Sequence, residues 1–301
     1  MLVSVALSIH NRSRLLARAL AGYAAQSMPA RDFEIILVDD QSTEDLSKVL
    51  EPWRGKLNIV HVRIDHTRHP SFRARNPEWK AGDAFENWFH TPAISTNVGI
   101  SMARGKVLCL CHPEILHAPW NLERAWTILE GGEKQRYLFG LTYLGTQTMN
   151  ALLDADPDWT RHTWPVFIDR MGGAEVPRFR SNELYWYTSF LPKVAAKIVR
   201  GVDFRYLDGV AGEDDDFKHR VETAGWRPVF ESRVEGFHQD HTNETERHRR
   251  RDTPEWESAL ARNRAILDLR RKEKFLPFEA NAGTDWTAMD TVVSIDKLLI
   301  E

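Results

Sequence analysis

Three hundred and one residues, at about 150 per domain, make one large or two closely packed domains with chain enough to bury a sizeable core. Forty Lys and Arg against 43 Asp and Glu leave a net charge of −3, which removes the electrostatic drive for general nucleic-acid binding. Gly (17) and Pro (14) are too few for a disordered or collagen-like chain, whereas 12 histidines and 11 tryptophans are generous beside two cysteines.

In chain order, the apolar start at residues 1–9 lacks a basic leader and is broken by His10-Asn11-Arg12. It is too short for a signal peptide or a membrane span, so a cytoplasmic chain with no transmembrane segment is expected. Short apolar or β-branched runs predict strands over 2–9, 33–38, 58–64 and 106–111. Helices are predicted over 13–26, after Ser42, and around 93–103. Cys109 and Cys111 share one face of the fourth strand, a spacing that disfavours a disulfide and suits a reducing compartment. The aperiodic stretch 66–92 interrupts the rhythm. Beyond it, strands are expected over 137–143, 184–191 and 228–232, with a helix over 214–224. Residues 241–274 have a helical pattern and carry ten cations against seven acids.

Alternating strands and helices predict a parallel sheet covered on both faces, with ligands at the carboxyl ends of the strands. Those ends read Ser8-Ile-His-Asn-Arg12, Asp39-Asp40, Asp65-His66 and His112-Pro-Glu114, all polar or charged.

The runs Val3-Ser-Val-Ala-Leu-Ser-Ile-His-Asn-Arg12, Glu34-Ile-Ile-Leu-Val-Asp-Asp-Gln-Ser-Thr43 and Asn97-Val-Gly-Ile-Ser-Met-Ala-Arg-Gly105 carry a resemblance. Together they resemble family-2-type glycosyltransferases of the GT-A fold. The resemblance implies an α/β, Rossmann-like, mostly parallel central sheet flanked by helices, with a smaller acceptor-side subregion and a helical C-terminal extension. It divides the chain into 1–240, with a nucleotide-sugar half at 1–115 and an acceptor and catalytic half at 116–240, and a charged extension at 241–301. Donor contacts are expected from Ser8, His10, Arg12, Asp40 and Asn97, with Asp40 accepting the imide N–H of uracil and Asn97 facing the diphosphate-sugar. Arg73 and Arg75 are further candidates for the donor phosphates.

Where the family places Asp-x-Asp after its metal-side strand, this chain has His112-Pro113-Glu114. Nitrogen and oxygen donors together suit Mn²⁺, with Mg²⁺ left open. Gly209-Val-Ala-Gly-Glu-Asp-Asp-Asp-Phe217 resembles the Gly-Trp-Gly-Gly-Glu-Asp-Asp-Asp segment of inverting galactosyltransferases and the related Gly-Glu-Asp motif of bacterial polysaccharide-synthesising enzymes. That likeness implies Asp214 as general base and Glu213 and Asp215 as acceptor ligands. In Gly236-Phe-His-Gln-Asp-His241, His238 is the first choice for a further metal ligand and His241 the second. The aromatic platform of those enzymes is missing at Val210-Ala211, leaving Trp164, Trp186 or Trp226 to supply it.

The expected function is inverting, metal-assisted transfer of a hexose or N-acetylhexosamine from a UDP-sugar to a hydroxyl acceptor. The acceptor is expected to be a glycan or another hydroxyl-bearing molecule, with polysaccharide, lipid-linked glycan, protein and a modified nucleic-acid base all open. The alternative is a catalytically inactive nucleotide-sugar or glycan-binding protein of the same fold. A nucleotidyltransferase is disfavoured because no glycine-rich phosphate loop follows the first strand.

Overall fold

The computed structural model describes residues 1–75, 77–78, 91–132, 134–180, 187–241 and 251–300. The apolar N-terminal run forms β1 (Val3–Ile9), and the polar residues after it turn into α1 (Ser13–Ala24). Asn11 and Arg12 at this turn both have left-handed backbone, with φ of 57° and 66°. Asn11 Oδ1 accepts the N–H groups of Thr43 (2.9 Å) and Glu44 (3.2 Å), tying the turn to the loop after β2 (Phe33–Asp40). The helix expected after Ser42 is a single turn, α2 (Ser47–Leu50), because Pro52 has no N–H with which to continue the ladder. β3 (Ile59–Ile64), α3 (Pro70–Arg75), α4 (Ala93–Met102) and β4 (Val107–Cys111) complete the first half.

Strands β3-β2-β1-β4 are parallel neighbours. Val3, Val5 and Leu7 of β1 share a core with Leu16, Leu20 and Tyr23 of α1. Ala6 points to the opposite face, where Val98 and Ile100 of α4 pack. The close approach of α4 explains its glycine: a Cβ at Gly99 would lie 2.9 Å from that of Ala6.

The second half adds β5 (Ile115–His117), α5 (Asn121–Gly131), β6 (Arg136–Leu144), α6 (Gln147–Ala155), α7 (Trp164–Arg170) and β7 (Arg178–Arg180). Then come β8 (Ser189–Pro192), α8 (Lys193–Ile198), α9 (Glu213–Thr223) and β9 (Arg227–His238). The expected strand over 184–191 is represented by β8, while 184–186 lie outside the described residues. β9 runs past its expected end at 232 and delivers His238 to the sheet edge.

Within the charged C-terminal segment lies α10 (Pro254–Lys272), capped by Thr253 with Pro254 at its first position. Beyond it β10 (Val292–Leu298), which local pattern does not predict, pairs antiparallel with β3. The mixed sheet runs β10-β3-β2-β1-β4-β8-β6-β9-β5, with β7 beside β6. No helix among the described residues is long and apolar enough to cross a membrane.

Candidate active site

The carboxyl ends of β1, β2 and β3 form one edge. Asp40 is buried there, its Oδ1 2.8 Å from Nδ1 of the buried His66, while His10 Nδ1 lies 2.7 Å from the Asp40 carbonyl. His66 Nδ1 carries the proton in this pair, because the carboxylate can only accept. Asp39 instead shapes the loop, its Oδ1 accepting the Ser42 N–H at 2.9 Å. Burial opposes its ionisation, but bonds from His61 and Ser42 outweigh that and lower its pKa. Ser8 is buried 3.4 Å from the Thr96 hydroxyl.

Asn97 corrects an expectation. Instead of facing a donor, its amide donates to Val202 O (2.9 Å) and accepts from Val202 N (2.7 Å), fully buried. Both ends of the side chain pin α4 to the segment before α9, and this buried structural role is what the structure shows for it. Arg73 donates to Thr67 O within its own segment. The side chain of Arg75, most of 76–90 and the basic residues 247–250 lie outside the described residues.

The turn after β4 meets the end of β9. Arg12 Nη1 donates to Glu114 Oε2 at 2.8 Å, while Oε1 lies 3.4 Å from His112 Nδ1 and 3.6 Å from His241 Nε2. Glu114, His238 and His241 each present a donor atom within 4.8 Å of the others. His241, the second choice in the sequence, therefore joins His238, and His112 flanks them. Burial opposes charge on Glu114, but Arg12, then His241 and His112, hold its carboxyl well below the usual range. Burial also pushes His238 down, despite the pull of Glu114, so its imidazole keeps a lone pair near neutral pH. One ionised carboxylate, the neutral imidazole of His238 and the ring nitrogen of His241 make a donor set that fits a first-row divalent cation such as Mn²⁺.

The acidic motif opens α9 after left-handed Ala211 (φ 60°) and Gly212 (φ 89°). Its four acids do different things. Asp216 is fully buried, 2.6 Å from Arg220 and 3.1 Å from Arg270 of α10. Burial, with like charge from Glu213 and Asp215, holds the Asp214 carboxyl well above the ordinary range. Glu213 is buried, whereas Asp215 lines a cleft of about 400 Å³ shared with Arg264, Leu267 and Arg271 of α10. Tyr187 joins the two groups. Burial, then the charges of Glu114 and Asp214, push its phenol up to about 12, and its ring lies edge-on to His238 at 5.3 Å.

The sequence pattern places α10 in a charged extension, yet this helix braces the acidic motif. Asn263 Nδ2 donates to the carbonyls of Tyr206 (3.2 Å) and Ala211 (2.7 Å). The contact is so close that a Cβ at Gly209 would overlap the Asn263 amide. The one sequence signal for the brace is the helical pattern itself, since Arg270 belongs to its inner face.

Of the three candidate sugar platforms, Trp164 is buried and donates its Nε1–H to Glu235 Oε2 (2.7 Å), Trp226 is buried, and Trp186 lies outside the described residues. A second cluster, Cys109, Cys111 and His117, is buried under the β4 turn. Asn121 fixes the tautomer of its histidine. Its Oδ1 accepts Glu235 N–H and its Nδ2 donates to Glu235 O, so that Nδ2 also donates to His117 Nδ1 (3.1 Å). The ring proton is then on Nε2, 3.4 Å from Cys111 Sγ. That places an N–H where a metal would need a lone pair, and the cluster reads as a buried hydrogen-bonded group.

Residues 4–80 match the model of Glycosyl transferase family 2. Validoxylamine A glucosyltransferase of Streptomyces hygroscopicus subsp. jinggangensis (strain 5008) is 33% identical over 75 residues, 25% of this chain and 18% of that protein. Poly(ribitol-phosphate) beta-N-acetylglucosaminyltransferase TarS of Staphylococcus aureus (strain MW2) is 34% identical over 80 residues, 27% of this chain and 14% of that protein. The chain thus matches under a fifth of the length of these relatives. Among solved structures, S. aureus TarS 1–349 in complex with UDP-GlcNAc superposes with a TM-score of 0.55 at 16% identity, covering 82% of this chain and 60% of that one. A second crystal structure of S. aureus TarS 1–349 gives 0.54 at 17% identity, covering 92% of this chain and 71% of that one. The N-terminal quarter of the chain therefore matches the glycosyl transferase family 2 model, and the chain as a whole has the α/β GT-A fold.

Proposed function

We propose that this chain is a UDP-sugar-dependent glycosyltransferase that moves a hexose or N-acetylhexosamine to a hydroxyl acceptor with inversion. The observation that carries the reading is the position of Tyr187, under the joint influence of Glu114 from the metal-side turn and Asp214 from the acidic motif. Two carboxylates from distant parts of the chain act on this one phenol, one held ionised and the other made more basic by its surroundings.

In this reading residues 1–115 bind the donor, with Asp40, oriented by His66, accepting the uracil imide N–H, and 116–240 present the acceptor. Asp214 takes the proton of the acceptor hydroxyl as that oxygen attacks the anomeric carbon. The bond from that carbon to the diphosphate breaks, and UDP departs with the electron pair. Glu213 and Asp215 orient acceptor hydroxyls. Glu114, His238 and His241 would hold a divalent cation, with His112 beside them. When bound, such a cation supplies positive charge that stabilises the diphosphate leaving group. The UDP-GlcNAc complex of the TarS structure supports the donor class. The buried free thiols Cys109 and Cys111 support operation in the cytoplasm.

The test is UDP release from UDP-glucose, UDP-galactose and their N-acetyl forms, with and without Mn²⁺ and with a panel of glycan acceptors, for wild type and Asp214→Asn. Acceptor-dependent UDP release by wild type and its loss in the variant is the expected result. Tight UDP binding with no turnover of any donor would instead favour the inactive binding protein.

A further inference from the structure

We infer that Gln239 is a positioning residue for the Glu114–His238–His241 cluster, acting as a buried clamp between the two turns that carry these side chains. The inference rests on the metal reading of that cluster.

The problem that the clamp solves is geometric. The β5–β9 ladder ends at the pair Ile115↔His238. Glu114 lies one step beyond that ladder and His241 three residues beyond β9, so strand pairing by itself does not fix them relative to each other. Gln239 bridges the gap with both its backbone and its side-chain amide. Its backbone N–H donates to Glu114 O at 2.8 Å, extending the ladder by one bond. Its side-chain Nε2 donates to Pro113 O (3.2 Å) and to Leu15 O (3.3 Å), and its Oε1 accepts from Arg18 Nη1 (3.0 Å). The amide orientation is unambiguous, since a guanidinium can only donate and carbonyls can only accept.

Gln239 is fully buried, so these bonds are made out of water, where losing any of them leaves an unsatisfied group. The clamp is itself anchored. Arg18 of α1 is buried and also bonds Asn150 O (3.1 Å) and Asp154. Asn150 of α6 returns a bond to Asp240 O (2.5 Å), fixing the residue between Gln239 and His241. The turn 239–240 is thus held from α1, α6 and the 113–114 turn at once. None of these groups is placed to ligate the cation; each holds the backbone from which the ligands project. Groups of this kind around a metal alter affinity by about 10- to 100-fold when removed.

The experiment measures Mn²⁺ binding to the purified full chain by titration calorimetry, together with the thermal midpoint, for wild type, Gln239→Met and Asn281→Ala. Met matches Gln in length and removes the side-chain hydrogen bonds, keeping the backbone bond to Glu114 O. Asn281 is a buried asparagine that bonds the 200–204 backbone and serves as the stability control. The expected result is Mn²⁺ binding at least about tenfold weaker in Gln239→Met, with Asn281→Ala less stable but unchanged in Mn²⁺ affinity. Wild-type Mn²⁺ affinity in folded Gln239→Met would overturn the clamp and leave the metal reading standing. Failure of wild type to bind Mn²⁺ would overturn both. Should Gln239→Met not fold, Arg18→Lys decides: it keeps the charge but draws the donor away from Oε1. Weaker Mn²⁺ binding in that variant supports the clamp, and unchanged binding overturns it.

Discussion

Arg12 and Glu114, 102 residues apart, form a 2.8 Å ion pair in which the guanidinium occupies Oε2 and leaves Oε1 toward His112 and His241. The pair does two things at once: it keeps a buried carboxylate ionised and fixes which oxygen is presented to the imidazoles. Glu114→Gln is expected to abolish Mn²⁺ binding while leaving UDP binding in metal-free buffer unchanged. Arg12→Met is expected to leave a weakened Mn²⁺ site. Calorimetric titrations with each ligand separate the two outcomes, and full Mn²⁺ affinity in Glu114→Gln would remove this residue from the site.

Asp214 makes a prediction with a defined sign. Its folded pKa is raised above the unfolded value of about 3.9, so its contribution to stability is fully present below that pH and is lost as pH rises through the folded pKa. At neutral pH, Asp214→Asn should therefore melt higher than wild type, while transfer falls by about 10²- to 10⁴-fold. In wild type, kcat/KM should rise with pH along a limb centred above the ordinary carboxylate range. A lower melting temperature together with undiminished transfer would contradict both assignments.

His66 donates to Asp40 at the carboxyl end of β2, where we propose that the uracil binds, and its ring packs edge-on against Phe72 at 4.7 Å. Replacing it with Phe keeps the ring and removes the donor. UDP affinity is expected to fall about tenfold, the equivalent of one hydrogen bond of about 1.4 kcal/mol. Because the loss concerns the base, KM for the donor should rise with little change in kcat.

Arg270 is fully buried against Asp216, and removing it leaves that carboxylate to Arg220. Breaking a buried pair in this way costs about 3–5 kcal/mol. Arg270→Met should lower the urea midpoint accordingly. If the midpoint stays at the wild-type value, α10 does not brace the acidic motif.

Gly99 tests the packing of α4 on β1. Alanine there would bring a methyl group to 2.9 Å from Ala6 Cβ, an overpacking that costs about 1–3 kcal/mol. The thermal midpoint should fall without loss of Mn²⁺ binding.

The sequence by itself determined the parallel half of the sheet and the polar ends of its strands. Those features follow from local pattern: runs of Val, Ile and Leu make strands buried on both faces, and the residues that end them must lie at one edge. It also singled out Glu114, Asp214, His238 and His241, because each belongs to a short motif. Tertiary structure decided what local pattern does not encode, which is the partner of each polar group. Asn97 sits in a motif that suggests a donor contact, yet its amide is matched to the backbone of Val202, 105 residues away. The acidic run looks uniform, but α10 takes Asp216 into a buried ion pair while Asp214 is left beside like charges. Arg18 and Gln239 meet across 221 residues of chain. A buried polar group must be satisfied wherever the fold brings a partner, and that partner is set by how the helices and sheet pack rather than by sequence neighbours.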